Sequence, residues 1–539
     1  MNGQPANAPR LHPEAERLAD ATILPREYNA VTHFIDRHVI EGRAAKIAYQ
    51  DERGSHAYGE LAERVNRAGN VLKQLGIEME QRVALCLPDG IDFPAVFWGA
   101  IKIGAVAVPV NPLFKPAEAD FVLRDCRARA LVTSAPHLAE LESVLTNQPH
   151  LRAVLVVGDE KAQARHGRAA LSFDKLACEV NAELEPAPTL ADDAAFLLYT
   201  SGSTGQPKGV VHLHRNLIAT AVLSGEEVLG ISEADVIFSA AKLFFAYGLG
   251  NGMTFPLHAG ASAVLTAERA TADTVMRVIS RRQPTLFFGV PTLYAKVLAL
   301  SESNRAWRPE HLRLCACAGE ALPEELGRRW RERFGVDVLD GIGATETLHN
   351  FISNRPGEVR YGATGKPVPG YEVRLLDERG REAGQGEVGE LWCRGPSIGS
   401  GYWNNRAATV TAFVGPWFRT HDRFIRDAEG FYRHVGRADD MLKVSGMWVS
   451  PAEVEAVLTA HPEVQEAAVI GALDADGLVK PKAFVVVKPG LTPRPGLETT
   501  LANLVKSKLA AYKYPRWVSF RDELPRTATG KLQRFKLRS

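Results

Sequence analysis

The chain has 539 residues, a length that calls for more than one domain, and 45% of them are hydrophobic, enough for large buried cores. Its 64 Lys+Arg against 63 Asp+Glu leave a net charge of +1, which gives no global field for nucleic acid or an anionic membrane surface. Residues Met1 to Asn29 are polar and dotted with proline, without a signal-like apolar core, and the longest apolar run, Phe93 to Val110, is broken by Lys102 and Pro109. The cysteines Cys86, Cys126, Cys178, Cys315, Cys317 and Cys393 are scattered without a disulfide framework. A soluble, reduced, cytoplasmic protein is expected, with a flexible lead over residues 1–25, no nucleic-acid partner and no membrane partner.

From about residue 30 to 345, helical and strand signals alternate. Leu61, Val65, Ala68 and Leu72 recur at helical spacing before the strand-like Arg82–Leu87. The cycle repeats through Phe93–Ile103 and Ala105–Pro109. Further strands are predicted at Ala153–Val157, Ala195–Tyr199, Val236–Ser239, Thr285–Val290, Leu312–Cys317 and Val336–Leu339. The pair Cys315 and Cys317 reads as part of a buried strand rather than a metal site. Such alternation implies α/β architecture, with mostly parallel sheets covered on both faces and ligands at the carboxyl ends of strands. Between Tyr371 and Tyr402 the texture turns to short β segments with Gly-rich turns, a small β subdomain. A boundary follows near Gly436–Asp440. Beyond it a helix at Pro451–Thr459, strands at Ala467–Ile470 and Ala483–Val487, and a helix at Leu497–Leu509 form a compact α+β module.

One segment is more informative than the rest: Tyr199-Thr200-Ser201-Gly202-Ser203-Thr204-Gly205-Gln206-Pro207-Lys208-Gly209-Val210. Glycine-freed N–H groups, short hydroxyls and an ammonium make a collar suited to a polyphosphate. It is not a P-loop, because Pro207 and Gly209 stand where G-x-x-x-x-G-K-[ST] requires Gly and Ser or Thr. A Gly/Ser linker would account for Ser201–Gly205 but not for Thr200 or Pro207-Lys208.

The segment resembles the phosphate loop of the adenylate-forming superfamily, which includes acyl- and aryl-CoA synthetases, peptide-synthetase adenylation domains and beetle luciferases. The likeness runs from about Tyr28 to Lys531. It implies a large N-terminal adenylation domain over 1–436, a hinge over 437–440 and a small mobile α+β C-terminal domain over 441–539. It also implies ATP, Mg2+ and coenzyme A as cofactors. On this resemblance Thr200, Ser201, Gly202, Ser203, Thr204, Gly205 and Lys208 cradle phosphates, with Gly319 and Glu320 beside the nucleotide. Asp340-Gly341-Ile342-Gly343-Ala344-Thr345-Glu346, placed after a strand, would bring Thr345 to the α-phosphate and Glu346 to magnesium. Asp422, in Trp417-Phe418-Arg419-Thr420-His421-Asp422, would bind the ribose hydroxyls, with Arg437 as a second contact. The family commonly has Gly where this chain has His421. Asp439 aligns with the hinge residue. Lys443, Ser445, Gly446 and Trp448 resemble the loop that meets CoA after the domain swing. In Pro525–Lys531, Lys531 would be the adenylation catalyst, a positioned charge; Thr200 and Glu346 complete the catalytic set.

The acid is read from a weaker signal. Phe245, Ala246, Tyr247 and Gly248, within Phe244–Asn251, look most like benzoate–CoA ligases, as does Thr347–Phe351 with His349 toward the ring or carboxylate. A short Ala246 beside the Tyr247 ring suits a small flat aryl acid, and Gly319 and Gly343 would let a planar ring slide against backbone. Other acids stay open: hydroxy-, amino- or halobenzoate. No carrier domain follows Lys531, which favours free CoA as acceptor. A silent acyl-AMP-binding regulator is the reading from another class, countered by the presence of Lys208, Glu346 and Lys531. The expected partners are the small-molecule substrates benzoate, ATP and CoA, with a homodimer as one oligomeric form.

Overall fold

A computed structural model describes residues 23–158, 170–201, 207–437, 442–444, 447–474, 478–509, 511–526 and 532–537. The chain folds into two compact units. The first is Met1–Tyr361 with Gly365–Glu372 and Cys393–Phe418; the second is Gly362–Thr364, Val373–Trp392 and Arg419–Ser539.

The first unit is built on two sheets. Six parallel strands make the body of one, in the spatial order Val338–Gly343, Leu314–Cys317, Leu286–Gly289, Val236–Ser239, Ser262–Val264 and Ile47–Asp51. Antiparallel strands Asn350–Ser353 and Lys366–Pro367 close one edge and Gly54–Ala57 the other. In the second sheet Ala194–Ser201, Val106–Pro109, Arg82–Cys86, Ala130–Ser134, Ala153–Val157 and Ala170–Ser172 run parallel. Strands buried on both faces read as continuous apolar runs; Leu314–Cys317 is buried throughout, as its composition implies, and burial pushes the Cys315 thiol up to about 12.

Helix Tyr58–Gln74 buries Leu61, Val65, Ala68 and Leu72, the stripe its spacing predicts. Helix Asp92–Lys102 is buried on every side, down to Lys102. The ammonium of Lys102 pairs with Asp36 at 2.6 Å. No described helix is long and apolar enough to cross a membrane.

Two features depart from the expected strand pattern. Ala194–Ser201 turns back on Pro207–Leu213 as an antiparallel hairpin, with Thr200 opposite Lys208 and Ser201 opposite Pro207. A parallel sheet is thus capped by a β-hairpin at the phosphate segment, and Gly401–Tyr402 adds a further antiparallel edge to it. The strand expected to end at Leu339 instead runs to Gly343, so Asp340–Gly343 lies within it. Its partner is the return strand: Gly341, Ile342 and Gly343 pair with Ser353, Ile352 and Asn350. That pairing lies outside any local propensity.

In the second unit, Val464–Leu473, Val479–Val487 and Trp517–Phe520 form a three-stranded sheet, and helices Pro451–Thr459 and Leu497–Lys508 lend Val454, Leu458, Leu501 and Val505 to its core. Distinct from that module, and not confined to the second unit, a five-stranded sheet of Glu372–Leu376, Val388–Arg394, Phe413–Val414, Trp417–Arg426 and Tyr432–Arg437 realises the expected β subdomain and extends it past Tyr402. His421 lies in this sheet with φ +61, in the left-handed region that favours glycine and costs about 1 kcal/mol or more for other residues. The backbone shape expected of a glycine is therefore kept. The ring is engaged, its Nδ1 lying 3.3 Å from Glu390 Oε1. Arg419 grips the same carboxylate with two bonds of 2.7 and 2.9 Å. Burial pushes Glu390 up, but the bonds from His421 and Arg419 outweigh it and hold the carboxyl at about 2.

A carboxyl depressed from 4.5 to about 2 contributes stability that is present above pH 4.5 and lost as pH falls toward 2. Glu390→Gln is expected to lower the unfolding free energy at neutral pH by about 1.5 kcal/mol, the low end for bonds to a charged group because Arg419 is partly exposed. The difference from wild type should shrink steadily in melts taken from about pH 5 down to pH 3. A constant difference would show that the charge of Glu390 is not what matters.

Candidate active site

The hairpin stem at the phosphate segment is fixed from below. Tyr199 donates its hydroxyl to Asp125 at 2.6 Å, and its ring fills the space a Cβ on Gly209 would take. Thr200 and Lys208 are half-buried at the mouth. Gly202, Ser203, Thr204 and Gly205 lie outside the described residues, and Ser201 is described by its strand position alone.

Opposite lies the return from Val338–Gly343 to Asn350–Ser353. Thr345–Thr347 form a single 3-10 turn. Its carbonyls are tied to neighbouring segments, Thr345 O accepting from His212 Nε2 at 2.8 Å and Thr347 O from Ser397 Oγ at 2.5 Å. Glu346 Oε1 accepts from Tyr402 Oη at 2.6 Å, and Glu346 O from the Gly399 N–H at 2.8 Å. The Lys208 ammonium sits 5.3 Å from the centre of the Tyr402 ring. Thus Lys208 and Glu346, expected to serve phosphate and metal, meet on the two sides of one tyrosine that the motif reading did not single out.

Asp340 is buried in its strand, near Cys317 Sγ at 3.6 Å and the Leu322 N–H at 3.4 Å, and burial pushes its carboxyl up to about 7. Gly319 has φ +92, and a Cβ there would meet only Val290 Cγ1, at 4.0 Å; Glu320 accepts from Thr292 Oγ1 at 2.8 Å. At Gly343 the reading changes. A Cβ there would stand 2.4 Å from His349 O, and one at Gly248 would stand 2.0 Å from Lys242 O. The chain's own backbone, not a sliding ring, fills those spaces.

The stretch expected to line the acyl site forms an aromatic stack. Tyr247 and His349 lie face to face, centroids 5.2 Å apart, and Phe255 meets His349 edge-on at 4.6 Å. Phe245 precedes the short helix Ala246–Leu249, with Ala246 half-buried at its first position. His349 Nε2 pairs with Asn251 Oδ1 at 3.1 Å. Burial lowers His349 to about 3, so its ring is neutral rather than a cation. Four buried polar atoms of this wall have no hydrogen-bond partner among the described residues: Tyr247 Oη, Asn251 Nδ2, Thr254 Oγ1 and His349 Nδ1. Asn251 ends the stretch Phe244–Asn251 singled out in the sequence, whereas Thr254 lies beyond it and was not singled out.

In the second unit Asp422 stands opposite Arg437 across the hairpin Trp417–Arg426 and Tyr432–Arg437, with His434 Nε2 3.5 Å from its Oδ1. Arg437, Lys443 and Trp448 are described by strand position alone, Lys443 pairing with Trp448. Asp439, Ser445, Gly446 and Lys531 lie outside the described residues. Among the described residues no group of three or more His, Cys, Asp or Glu is arranged to hold a metal by itself.

Comparison with known proteins accords with this geometry. The AMP-binding enzyme family matches over residues 36–403 and the AMP-binding enzyme C-terminal domain over residues 453–531. This chain belongs to the AMP-binding, adenylate-forming enzyme family. It is 51% identical to the benzoate–CoA ligase of Thauera aromatica over 96% of this chain and 97% of that protein. Its fold is similar to the anthranilate CoA ligase AuaEII, solved with anthranoyl-AMP, at TM-score 0.91 and 43% identity, covering 96% of this chain and 98% of that one. It is also similar to a benzoate CoA ligase from Burkholderia xenovorans LB400, at TM-score 0.87 and 46% identity, covering 95% and 100%.

A histidine depressed from 6.5 to about 3 contributes stability that is present above pH 6.5 and lost as pH falls toward 3. Equilibrium binding of the acid is therefore expected to show no ionisation of His349 between about pH 6 and 8. His349→Asn should weaken binding while leaving its pH profile parallel to wild type. A limb near pH 6.5 present in wild type and missing from the variant would overturn the neutral assignment.

Proposed function

We propose that the chain is an ATP-dependent benzoate–CoA ligase, forming benzoyl-CoA, AMP and pyrophosphate through benzoyl-adenylate. The observation that carries the acid is the neutral Tyr247–His349 stack beside the short Ala246. A neutral aromatic surface beside a short side chain suits a small flat aryl acid. Likeness to benzoate ligases along nearly the whole chain supports the same reading.

In the first half-reaction the benzoate carboxylate attacks the α-phosphorus of ATP; the bond to the bridging oxygen breaks and pyrophosphate leaves. Thr200, Lys208 and the loop 201–205 hold the β- and γ-phosphates, and Thr345 the α-phosphate. Glu346 would hold Mg2+, which when bound would neutralise phosphate charge. Gly319, Glu320, Asp340, Gly341 and Ile342 border the nucleotide. Asp422 and Arg437 take the ribose, and Lys531 bridges the carboxylate and the α-phosphate. In the second half-reaction the CoA thiolate attacks the acyl carbon and AMP leaves. Residues 437–440, with Asp439, act as the hinge between an adenylation domain (1–436) and a mobile domain (441–539), and Lys443, Ser445, Gly446 and Trp448 border the pantetheine path. No covalent protein nucleophile is needed. A soluble, cytoplasmic setting fits these substrates.

A second reading has its own observation. The unpartnered Asn251 Nδ2 and Thr254 Oγ1 would reward a ring that carries an amino or hydroxyl group, the acid class of the anthranilate ligase.

Thioester formation across benzoate, 2-aminobenzoate, hydroxybenzoates, cinnamate and hexanoate tests the acid. Benzoate should lead in kcat/KM; a lead for 2-aminobenzoate would favour the second reading, and one for hexanoate would overturn the aryl slot. Lys531→Ala is expected to slow adenylate formation by about 10²–10³-fold while still converting supplied benzoyl-AMP to the thioester. Equal loss in both steps would remove Lys531 from its assigned role.

A further inference from the structure

Tyr402 belongs to none of the motifs that define the family's site here, yet it touches two of them. Its hydroxyl donates to Glu346 Oε1 at 2.6 Å, and its ring lies beneath the Lys208 ammonium at 5.3 Å. The residue itself is pinned. Its strand pairs with the phosphate hairpin, Gly401 opposite Val211 and Tyr402 opposite Val210. Flanking N–H groups tie it further: Trp403 N donates to Gly209 O at 2.7 Å, and Gly399 N to Glu346 O at 2.8 Å. Phe413 closes the ring edge-on at 5.4 Å. The side chain therefore cannot follow one partner without moving against the other.

We propose that Tyr402 is a positioning residue that sets the metal-binding carboxylate and the phosphate-binding lysine at a fixed separation. Its hydroxyl occupies Oε1 of Glu346 and leaves Oε2, which has no partner among the described residues, as the oxygen offered to a cation. A carboxylate that ligates a metal is ordinarily oriented by such a bond, and loss of the orienting partner costs about 10–100-fold in metal affinity. The ring face seats the lysine through its quadrupole, an attraction that does not depend on the hydroxyl. The two contacts can therefore be removed one at a time. The proposal rests on the reading that Glu346 receives magnesium and Lys208 the phosphates.

Calorimetric titration of the full chain with a non-hydrolysable ATP analogue, at a series of magnesium concentrations, separates these roles without relying on turnover. Tyr402→Phe keeps the ring; it should bind the metal-free nucleotide as wild type does but require about 10-fold more magnesium to reach the tight complex. Tyr402→Leu removes both contacts and should also weaken metal-free binding. Glu346→Gln is the reference. If it leaves the magnesium requirement unmoved, the carboxylate reading falls and the proposal falls with it. If it raises the requirement and Tyr402→Phe does not, Tyr402 alone loses its role. In the Glu346→Gln background Tyr402→Phe should add nothing, and a further loss there would overturn the coupling.

Discussion

The rest of the site depends on how closely Val338–Gly343 passes its own return strand. The backbone of Gly343 lies against His349 O and that of Gly341 against the Asn350 side chain, at distances that admit no Cβ. Leu348 takes φ +64 to complete the turn, a conformation that costs a branched residue energy the surrounding structure has to supply. The return is short enough that Glu346 and His349 share it. One closure therefore sets the carboxylate proposed for magnesium and the aromatic face proposed for the acid. His212 and Ser397 hold the turn's carbonyls from neighbouring segments, so its shape is not left to the turn alone.

Much of the fold was legible because the chain states it locally. The buried helix and strand runs, the Cys315–Cys317 strand and the small C-terminal module follow from periodicity and from strands covered on both faces. The phosphate segment and the Glu346 motif carry glycines, hydroxyls, a lysine and a carboxylate, the groups a polyphosphate and its cation require, and they made the family legible. Family membership is shown over both matched regions.

What was not legible is set by partners distant in sequence. Nothing near Asp340 says that its strand continues to Gly343; residues 350–353 decide it. Gly343, assigned with Gly319 to a sliding ring, is required by the carbonyl of His349, a distinction that spacing cannot make. Tyr402 reads as an aromatic after a Gly-rich turn and acquires meaning only beside Glu346 and Lys208. His421 marks the opposite case. A departure from the family's glycine suggested a changed backbone, yet the chain keeps φ +61. Glu390, remote in sequence and strongly held ionised, anchors the ring that makes this tolerable.

The charge balance of the wall proposed for the acid bears on how two reactions share one protein. Tyr247, Phe255 and Asn251 carry no charge, and burial holds His349 neutral. A carboxylate entering such a slot keeps its charge unmatched in a medium where charge is costly. On the proposed reading the missing cation is Lys531, carried by the C-terminal module rather than fixed into the wall. That division has a physical advantage. A lysine built into the slot would stabilise benzoate and its carboxylate equally in every state, which binds the ground state without favouring reaction. It would also remain beside the acyl carbon when the thiolate has to attack. A cation brought by a separate module can serve the step in which carboxylate charge is consumed and be absent from the next, leaving a neutral aromatic slot suited to hold an uncharged acyl group.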